Sequence, residues 1–520
     1  MASQRKKERL SMKKLCFVFA FLLLFVLAAC EKPPVSTTAP EPCLTHTDAD
    51  DNGYCDRCDT YVIVTVDIYN INDLHGKLAD ADTHPGVDEL TTYLKNAQAT
   101  QDNVLLLSTG DMWQGSSESN QTKGKFTTDW MNQLGFAGMV LGNHEFDWGE
   151  EPIEENAEFA EFPFLAINIY DRETNQQVSY CQSSVVFEAD GVQIGVIGAM
   201  GDCYSSISPD KVADVYFITG SQLTALVKEE AQRLRDAGVD FIVYAIHDGF
   251  GGSTGSTVKP IDSGKLGVYY DYTLSYGAVD LVFEGHSHQN YVLLDEYGVF
   301  HLQNGGDNKN GISHAEVSIN TANGNTEVVK AEHIAHSRYT NLEDDPIIED
   351  LLQKYETQIG NVHGTLGYLS HELGRNSLRQ LAADLYYEAG MKAWGDEYEI
   401  ALAGGFFSVR APGYLPAGAV TYSQLQSLFP FDNELALCKV QGRDLKSKFF
   451  ESRNSNYFIS YGDYGAQLKN NIDPNATYYI VVDTYTAYYA PNNLEVVKLF
   501  GQAVYARDLL ADYIAAGGLN

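Results

Sequence analysis

Five short polar clusters, each shortly after an apolar segment, constrain the fold of this chain more than any other feature. The apolar segments predict β-strands and cover residues 61–66, 104–107, 139–141, 241–245 and 279–283. The clusters are Asn72-Asp73-Leu74-His75-Gly76, Gly110-Asp111, Gly142-Asn143-His144-Glu145-Phe146-Asp147, His247-Asp248-Gly249 and Gly285-His286-Ser287-His288. Ligands of α/β sheets bind beyond the carboxyl ends of the strands. We therefore expect the five clusters to converge on one point, with their glycines allowing close backbone approach.

Helical segments separate the predicted strands. Residues 221–237 and 346–359 carry apolar side chains at helical spacing. Strands that alternate with helices are typical of layered α/β domains. Because 520 residues are too many for one ordinary core, we expect two globular domains, with the second α/β unit beginning near residue 362.

The residue types of the clusters fit a centre that holds two metal ions. Asp73 and His75 are two residues apart, as are His286 and His288, so each pair can face one ion. The carboxylate of Asp111 can bridge two ions about 3.5–4 Å apart. Either pair alone is more often a surface or hydrogen-bonded pair, and the Gly-Asn-His-Glu string alone can be a turn. The five clusters together are what indicate metal binding.

In this order the motifs resemble those of the calcineurin-like metallophosphoesterases, and their variants resemble the bacterial 5′-nucleotidase and 2′,3′-cyclic phosphodiesterase branch. The resemblance runs from about Thr60 to the C-terminus and is strongest in the first half. It implies an α/β fold class, with a four-layer αββα metallophosphoesterase domain followed by a smaller α/β 5′-nucleotidase-like domain.

The resemblance also implies roles for the clustered residues. One ion would be held by Asp73, His75, Asp111 and His288, and the other by Asp111, Asn143, His247 and His286. The two divalent ions would be zinc, manganese or similar metals, and a hydroxide bridging them would attack phosphorus. His144, oriented by Asp147, would stabilise the transition state or assist the leaving group.

In the second domain the resemblance is patchier. Arg410 and Phe431 are candidates to contact phosphate and to stack on a base, and Asn433 belongs to the same Pro-Phe-x-Asn match. Further candidates are Arg375 and Arg379, together with Tyr488 or Tyr489 as a second ring. The alternative for each arginine is an ordinary surface charge. Ala403 stands where the family has Asn, and the late Gly-Gly-Asp-Gly element of the family is missing.

We expect an enzyme that hydrolyses a small phosphate ester, most simply a nucleoside monophosphate or a 2′,3′-cyclic nucleotide. Two alternatives stay open, namely a phosphoesterase for other esters and a surface binding or sensor protein with a decayed site. Every expected ligand position is filled, which argues against decay. The formal net charge of −35 argues against a nucleic-acid polymer as partner and makes metal ions the source of local positive charge.

The N-terminus predicts export and a lipid anchor. Residues 1–29 have a basic start and an apolar run too short to span a bilayer, which is typical of a signal peptide. Leu27-Ala28-Ala29-Cys30 resembles a bacterial lipobox, so Cys30 is the predicted lipid site and residues 30–42 a disordered tether. The alternative is a plain secretory signal. We expect a protein outside the cytoplasm that is held at the membrane.

A small module is predicted at residues 43–59. Cys43-x-x-His46 and Cys55-x-x-Cys58 have zinc-site spacing. Asp48-x-Asp50-x-Asn52-Gly53 overlaps them and resembles a calcium loop, while a disulfide is a third reading. The predicted boundaries after this module are 60–340 for the catalytic domain, 341–362 for a connecting helix and 363–520 for the substrate domain.

Overall fold

The computed structural model describes residues 45–81, 84–261, 277–452, 454, 457–488, 492 and 494–518. The predicted signal and tether, with Cys30, lie outside the described residues, as do Cys43 and Tyr489. Among the helices of the described part, none has the length and apolar character that crossing a membrane requires.

Two sheets form the first half of the molecule. The six-stranded sheet has the spatial order β15-β14-β1-β2-β3-β4, and the seven-stranded sheet has the order β10-β12-β13-β11-β9-β7-β6. A further short pair joins β5 to β8. The strands are β1 (Ile63–Ile71), β2 (Val104–Ser108), β3 (Gly138–Val140), β4 (Phe164–Leu165), β5 (Ile169–Asp171), β6 (Ser184–Ala189), β7 (Val192–Met200), β8 (Val215–Phe217), β9 (Phe241–His247), β10 (Lys259–Pro260), β11 (Leu281–Phe283), β12 (Tyr291–Leu294), β13 (Phe300–Gln303), β14 (Ile312–Asn320) and β15 (Thr326–Ile334).

Helices cover the outer faces of both sheets. They are α1 (Asp88–Thr100), α2 (Ser117–Gln121), α3 (Lys125–Leu134), α4 (Glu151–Phe159), α5 (Gly220–Asp236) and α6 (Ile347–Ile359), with short 3-10 turns at Asn143–Phe146, Asp202–Ser206, Pro209–Val212 and His336–Arg338. Leu94, Trp130 and Leu351 pack in one outer cluster, while Leu223 and Leu234 of α5 pack in another.

The inner faces of the sheets share one apolar core. Ile68 of β1, Val243 of β9 and Phe283 of β11 are fully buried there. Strands buried on both faces are continuously apolar, as β9 is, because helices and the facing sheet exclude water from both sides. The predicted four-layer αββα arrangement is therefore confirmed.

The second half contains a five-stranded sheet in the order β22-β18-β23-β21-β24 and the two-stranded pairs β16-β20 and β17-β19. Its strands are β16 (Thr365–Leu369), β17 (Leu373–Gly374), β18 (Ile400–Phe406), β19 (Tyr414–Leu415), β20 (Gly418–Thr421), β21 (Leu435–Gln441), β22 (Tyr457–Ser460), β23 (Thr477–Asp483) and β24 (Glu495–Leu499). Its helices are α7 (Arg375–Trp394), α8 (Tyr422–Leu428), α9 (Gly442–Asp444), α10 (Asp463–Leu468), α11 (Thr484–Tyr488) and α12 (Ala506–Ala515), with a π-helical turn at Leu445–Phe450. This is the expected second α/β unit.

The predicted connector, helix α6, packs on the first half of the molecule. Its Tyr355 hydroxyl donates to the carboxylate of Asp129 on α3 at 2.9 Å. Ile348 and Leu351 are buried in the outer cluster that also contains Trp130. The helix thus adds to the helical layer of the first half, and the exact domain boundaries stay a prediction.

Candidate metal centre

The polar clusters meet where strands of both sheets end. Asp73, Asp111 and Asn143 follow the neighbouring parallel strands β1, β2 and β3. From the facing sheet, His247 is the last residue of β9, and the loop after β11 carries His286 and His288. Because all these strand ends point the same way, the side chains lie within reach of one another.

Asp73, His75 and His288 form the first group of potential ligands. Their ligand atoms lie within 4.8 Å of one another. Nε2 of His75 lies 3.2 Å from Nε2 of His288, which in turn lies 3.2 Å from Oδ1 of Asp73. Nδ1 of His75 faces the carbonyl oxygen of Gln114 at 2.9 Å, so this nitrogen carries the proton and Nε2 presents a lone pair. Burial, and then the charge of His288, lower the pKa of His75 to about 3.

Asp111, Asn143 and His247 form the second group. Nδ1 of His247 donates to the carbonyl oxygen of Thr109 at 2.6 Å, which leaves Nε2 to face Asp111 and Asn143. This atom lies 3.2 Å from Oδ2 of Asp111 and 3.3 Å from Oδ1 of Asn143. Burial would lower the pKa of His247, but the charge of Asp111 outweighs it and raises this pKa to about 10.

Both groups fit a cation. In each of them lone pairs of nitrogen and oxygen face one another, an arrangement that is repulsive unless a positive charge lies between them. The negative charge of Asp111, which favours a proton on His247, also favours a divalent ion at this position. The side chains of both groups therefore suit the divalent metal ions that the residue types of the clusters predicted. His286 joins them through its backbone N–H, which donates to Oδ2 of Asp73 at 2.9 Å.

Five candidate ligands share an uncommon backbone conformation. The φ angles are 52° at Asp73, 54° at His75, 53° at Asp111, 66° at His286 and 52° at His288. In this left-handed region a side chain costs about 1–2 kcal/mol relative to glycine. A fold that maintains five such residues in one place indicates a functional site, because strain of this kind persists where the surroundings impose it.

Two glycines let the loops approach. A Cβ atom at Gly110, whose φ is +85°, would lie 2.6 Å from the backbone nitrogen of Gly142 and 2.9 Å from Nδ1 of His247. A Cβ atom at Gly142 would lie 2.5 Å from the backbone nitrogen of Asp111. Side chains at either position would separate the loops that carry Asp111 and Asn143.

Glu145 joins these two loops, a role that the sequence analysis missed. Its buried carboxylate accepts backbone N–H groups of Asp111 at 2.9 Å, Met112 at 2.8 Å, Trp113 at 3.2 Å and Gly142 at 2.7 Å. Burial, and then the charge of Asp111, raise its pKa to about 7. In the sequence, Glu145 stands out only as the fourth residue of the Gly-Asn-His-Glu string. No local sequence pattern shows which groups its carboxylate contacts.

His144 and Asp147 pair beside the metal ligands. Nδ1 of His144 lies 2.8 Å from Oδ2 of Asp147, and the backbone N–H of His144 donates to Oδ1 of Asp111 at 2.9 Å. Burial opposes protonation, but the charges of Asp147 and Asp111 raise the pKa of His144 to about 9. A protonated imidazole held in this way can donate a proton through Nε2.

A cavity of about 270 Å³ extends from these residues to the second half of the molecule. Asn143, His144, Asp147 and His286 line one side of it. The other side is formed by aromatic and polar residues of the second half, including Phe406, Phe407, Arg410, Phe431, Asn433 and Tyr485. The combination of apolar rings with a few polar groups is typical of small-molecule sites.

Contacts across the two halves of the molecule fix Phe431. The carbonyl oxygen of Pro430 accepts side-chain amide protons of Gln114 and Asn120. The carboxylate of Asp432 accepts from Nε1 of Trp148 at 2.7 Å and pairs with Arg507. Between these anchors the ring of Phe431 stacks on His144, with centroids 5.5 Å apart.

The guanidinium of Arg410 lies near the same ring, 4.9 Å from its centroid. In this arrangement Phe431 contacts both His144 and Arg410, and it lines the cavity while half-buried. Tyr485 and Phe406, whose ring centroids are 6.1 Å apart, line the cavity while half-buried.

The remaining candidates of the second domain lie elsewhere. Nε of Arg379 donates to the carbonyl oxygen of Phe407 at 2.9 Å, behind the cavity wall. Arg375 is exposed beside Gly413. Of the described tyrosines of helix α11, Tyr485 lines the cavity and Tyr488 does not. Of the candidates in the second domain, Arg410, Phe431 and Asn433 thus line the cavity, and so does Tyr485, which was not among the predicted residues.

Comparisons with known proteins agree with this geometry. Residues 67–290 match the model of the calcineurin-like phosphoesterase family. Protein UshA of Yersinia enterocolitica is 26% identical over 424 residues, which are 72% of each chain. The 5′-nucleotidase of Diplobatis ommata is 24% identical over 501 residues, which are 87% of this chain and 82% of the relative.

Among solved structures, the 5′-nucleotidase precursor of Thermus thermophilus has a TM-score of 0.62 at 18% identity, covering 87% of this chain and 96% of that one. At this identity the likeness shows a shared fold. The family resemblance expected from the motifs is confirmed by the family match. The chain therefore carries a calcineurin-like phosphoesterase domain and is, through it, a metal-dependent phosphoester hydrolase.

Proposed function

We propose that this chain hydrolyses nucleotides, either 5′-monophosphates or 2′,3′-cyclic forms. The observation that carries the proposal is the cavity in which potential metal ligands and the His144–Asp147 pair face aromatic rings and an arginine. A relative named 5′-nucleotidase, matched over 87% of this chain, supports it.

The ligand sets we propose are Asp73, His75, Asp111 and His288 for one ion, and Asp111, Asn143, His247 and His286 for the other. Two zinc, manganese or similar ions, when bound there, would provide a nucleophile at neutral pH and stabilise the negative charge of the transition state. The chain itself contributes the arrangement of the ligands. Hydrogen bonds to Gln114 and Thr109 set the tautomers of His75 and His247, so that Nε2 of each ring faces the centre.

His144 acts on the leaving group in this proposal. Asp147 holds Nδ1 of the ring, so Nε2–H points away from the pair and can donate to the ester oxygen as the bond to phosphorus breaks. The charge of Asp147 stabilises the imidazolium before the transfer, and Phe431 packs on the ring face and limits its rotation.

The second half of the molecule binds the rest of the substrate. The permanent charge of Arg410 lies beside the cavity and is suited to a phosphate oxygen. Tyr485 and Phe406 present ring surface to the same space, and a base stacked there gains about 1–3 kcal/mol. Because His144 and Arg410 contact Phe431, we assign the stacking of the base to Tyr485 rather than to Phe431.

His144→Gln is expected to lower kcat by about 10²-fold, the usual effect of losing one general acid. Metal content should stay at the wild-type level, because His144 is not among the proposed ligands. Steady-state kinetics with a nucleotide, combined with metal analysis of the same sample, checks both expectations. An unchanged kcat would remove His144 from the mechanism.

Tyr485→Ala is expected to lower kcat/KM for nucleoside monophosphates by about tenfold, which corresponds to the loss of one stacked base. Hydrolysis of a sugar phosphate should not change, because a sugar has no base to stack. Tyr488→Ala is the matched control on the same helix and should behave as wild type. The panel includes 2′,3′-cyclic nucleotides and a short oligonucleotide. Sugar phosphates or the oligonucleotide as best substrate would contradict the proposal.

We further propose that the enzyme works outside the cytoplasm, anchored through a lipid on Cys30. The support is the sequence of residues 1–30, with its basic start, apolar run and Leu-Ala-Ala-Cys end. In a bacterial host, Cys30→Ser should abolish labelling by a radioactive fatty acid, whereas Cys438→Ser should not. Labelling that survives in Cys30→Ser would refute the anchor.

A further inference from the structure

The segment formed by residues 45–59, called the N-terminal module below, folds with almost no apolar core. Within it only Asp48, Gly53 and Cys55 are buried, and none of them has a large apolar side chain. Backbone hydrogen bonds join it to the start of the first sheet, from Cys55 N–H to Thr60 at 2.8 Å and from Val62 N–H to Gly53 at 3.0 Å. A segment this small usually needs a cross-link or a metal ion to hold one conformation.

Polar contacts fix the outer side of the module. Asn320, at the end of β14, donates to Oδ2 of Asp48 at 2.7 Å, and Asn325 donates to Oδ2 of Asp51 at 3.1 Å. These bonds dock the module on the turn between β14 and β15. The two ends of the module are joined separately, by hydrogen bonds from the backbone N–H of Asp56 to the carbonyl oxygen of Thr47 at 2.7 Å and from the backbone N–H of Ala49 to Oδ2 of Asp56 at 2.9 Å.

Three side chains with suitable chemistry meet inside the module. The ligand atoms of His46, Cys55 and Cys58 lie within 4.8 Å of one another, and Nδ1 of His46 lies 3.4 Å from Sγ of Cys58. Nitrogen and sulfur ligands of a tetrahedral zinc ion are separated by about 3.6 Å, given bond lengths of about 2.1 and 2.3 Å. The observed separation matches this value closely, and neither sulfur is in a disulfide.

Backbone groups surround the sulfur of Cys55 in a way that suits a thiolate. The N–H of Thr47 points at Sγ from 3.5 Å, and the N–H groups of Arg57 and Cys58 also donate to it. Such donors stabilise negative charge on sulfur, which is the form that binds a metal ion.

We propose that His46, Cys55 and Cys58 bind a structural zinc ion that closes the N-terminal module. Cys43, which the sequence pattern pairs with His46, lies outside the described residues, and the proposal rests on the other three side chains. The site is remote from the phosphoesterase centre, because the module adjoins the start of β1 whereas Asp73 follows its end. A strand of nine residues spans about 26 Å.

A neighbouring set of acids does not account for the same observations. Asp48, Asp50 and Asp56 also lie close together. However, the oxygens of Asp48 already accept the backbone N–H groups of Asn52 at 3.0 Å and Gly53 at 2.9 Å, which are turn-forming bonds. The bonds of Asp48 account for the turn, but none of the three acids accounts for the convergence of two sulfurs and an imidazole.

The test replaces the metals of the full-length protein by cobalt and records its absorption spectrum. Tetrahedral cobalt bound to thiolates gives intense visible bands and a sulfur-to-cobalt charge-transfer band, whereas oxygen and nitrogen ligands give weak ones. We expect the intense bands in the wild type and in Asp50→Asn. In Cys58→Ser one of the two proposed thiolates is lost, so we expect the bands to weaken clearly and the zinc content to fall by up to about one equivalent per chain. Cys58 is exposed, so its replacement should not prevent folding.

Phosphoesterase activity of Cys58→Ser should equal that of the wild type, which separates this site from the catalytic centre. Three results would overturn the proposal. Bands of undiminished intensity in Cys58→Ser would place the thiolates elsewhere, with Cys203 near His247 and His286 as a candidate. Mass spectrometry that finds Cys55 and Cys58 joined would favour a disulfide. Bands lost in Asp50→Asn instead would assign the metal to the acids.

Discussion

Asp111→Asn is expected to reduce turnover of any phosphate ester by about 10³-fold, the upper range for removal of one electrostatic group from an active site. The carboxylate of Asp111 belongs to one group of ligands with Asp73 and His247, and its Oδ1 also accepts the backbone N–H of His144. Although burial opposes it, the charges of His247 and His144 hold the pKa of Asp111 well below its usual range. The asparagine side chain has nearly the same shape as that of aspartate, but it places no negative charge between the two groups of ligands.

Kinetics at saturating divalent metal, with metal content measured in parallel, check this expectation. Asp129→Asn is the matched control, because Asp129 is also buried in the first half of the molecule but pairs with Lys354 and Tyr355. We expect the control to lose stability and to keep its turnover. If Asp111→Asn kept more than about a tenth of wild-type turnover, the two-ion centre built around Asp111 would be wrong.

Glu145→Gln is expected to lower the free energy of unfolding by about 2–4 kcal/mol and the metal affinity by about 10–100-fold. The carboxylate accepts four backbone N–H groups from two loops. A glutamine side chain has only one oxygen that can accept these N–H groups. Its NH₂ group is itself a donor and would face the remaining backbone N–H groups without forming hydrogen bonds. The loops that carry Asp111 and Asn143 should then separate, although Glu145 itself is not a proposed ligand.

Thermal unfolding with and without metal, and titration of the metal-free protein with zinc or manganese, measure the two effects. Glu118→Gln makes the same change at another buried carboxylate, which pairs with the side chain of His363 at 2.7 Å and does not bond to the backbone of Asp111 or Gly142. The control should leave metal affinity unchanged. A Glu145→Gln protein that binds metal as tightly as the wild type would show that the loops do not depend on this carboxylate.

The sequence was informative wherever the relevant geometry is local. Asp73, Asp111 and Asn143 follow strands that the apolar segments predicted, because strand ends and glycines are encoded within a few residues. The contacts of Glu145 were not predictable in this way. It bonds to residues more than 30 positions earlier, and only the pairing of β2 with β3 brings the two loops together.

The positions of the aromatic side chains in the second domain were likewise not predictable from local sequence. The aromatic residues after β23 were expected to contribute a ring, with Tyr488 or Tyr489 as the candidate. Helix α11 begins at Thr484, and its first turn directs Tyr485 to the cavity. Phe431 is the predicted base-stacking residue, and its contact with His144 depends on the hydrogen bonds of Pro430 to Gln114 and Asn120, which the sequence did not show. Contacts between distant parts of the chain determine the positions of both Tyr485 and Phe431.

The left-handed backbone at Asp73, His75, Asp111, His286 and His288 has a consequence for the divergence of this chain. A descendant that lost its ions but kept its fold would still need residues that tolerate positive φ, above all glycine and asparagine. Alanine or valine would be selected against there for conformational reasons alone. Glycine or asparagine at these five positions would therefore identify relatives that have abandoned catalysis while retaining the architecture.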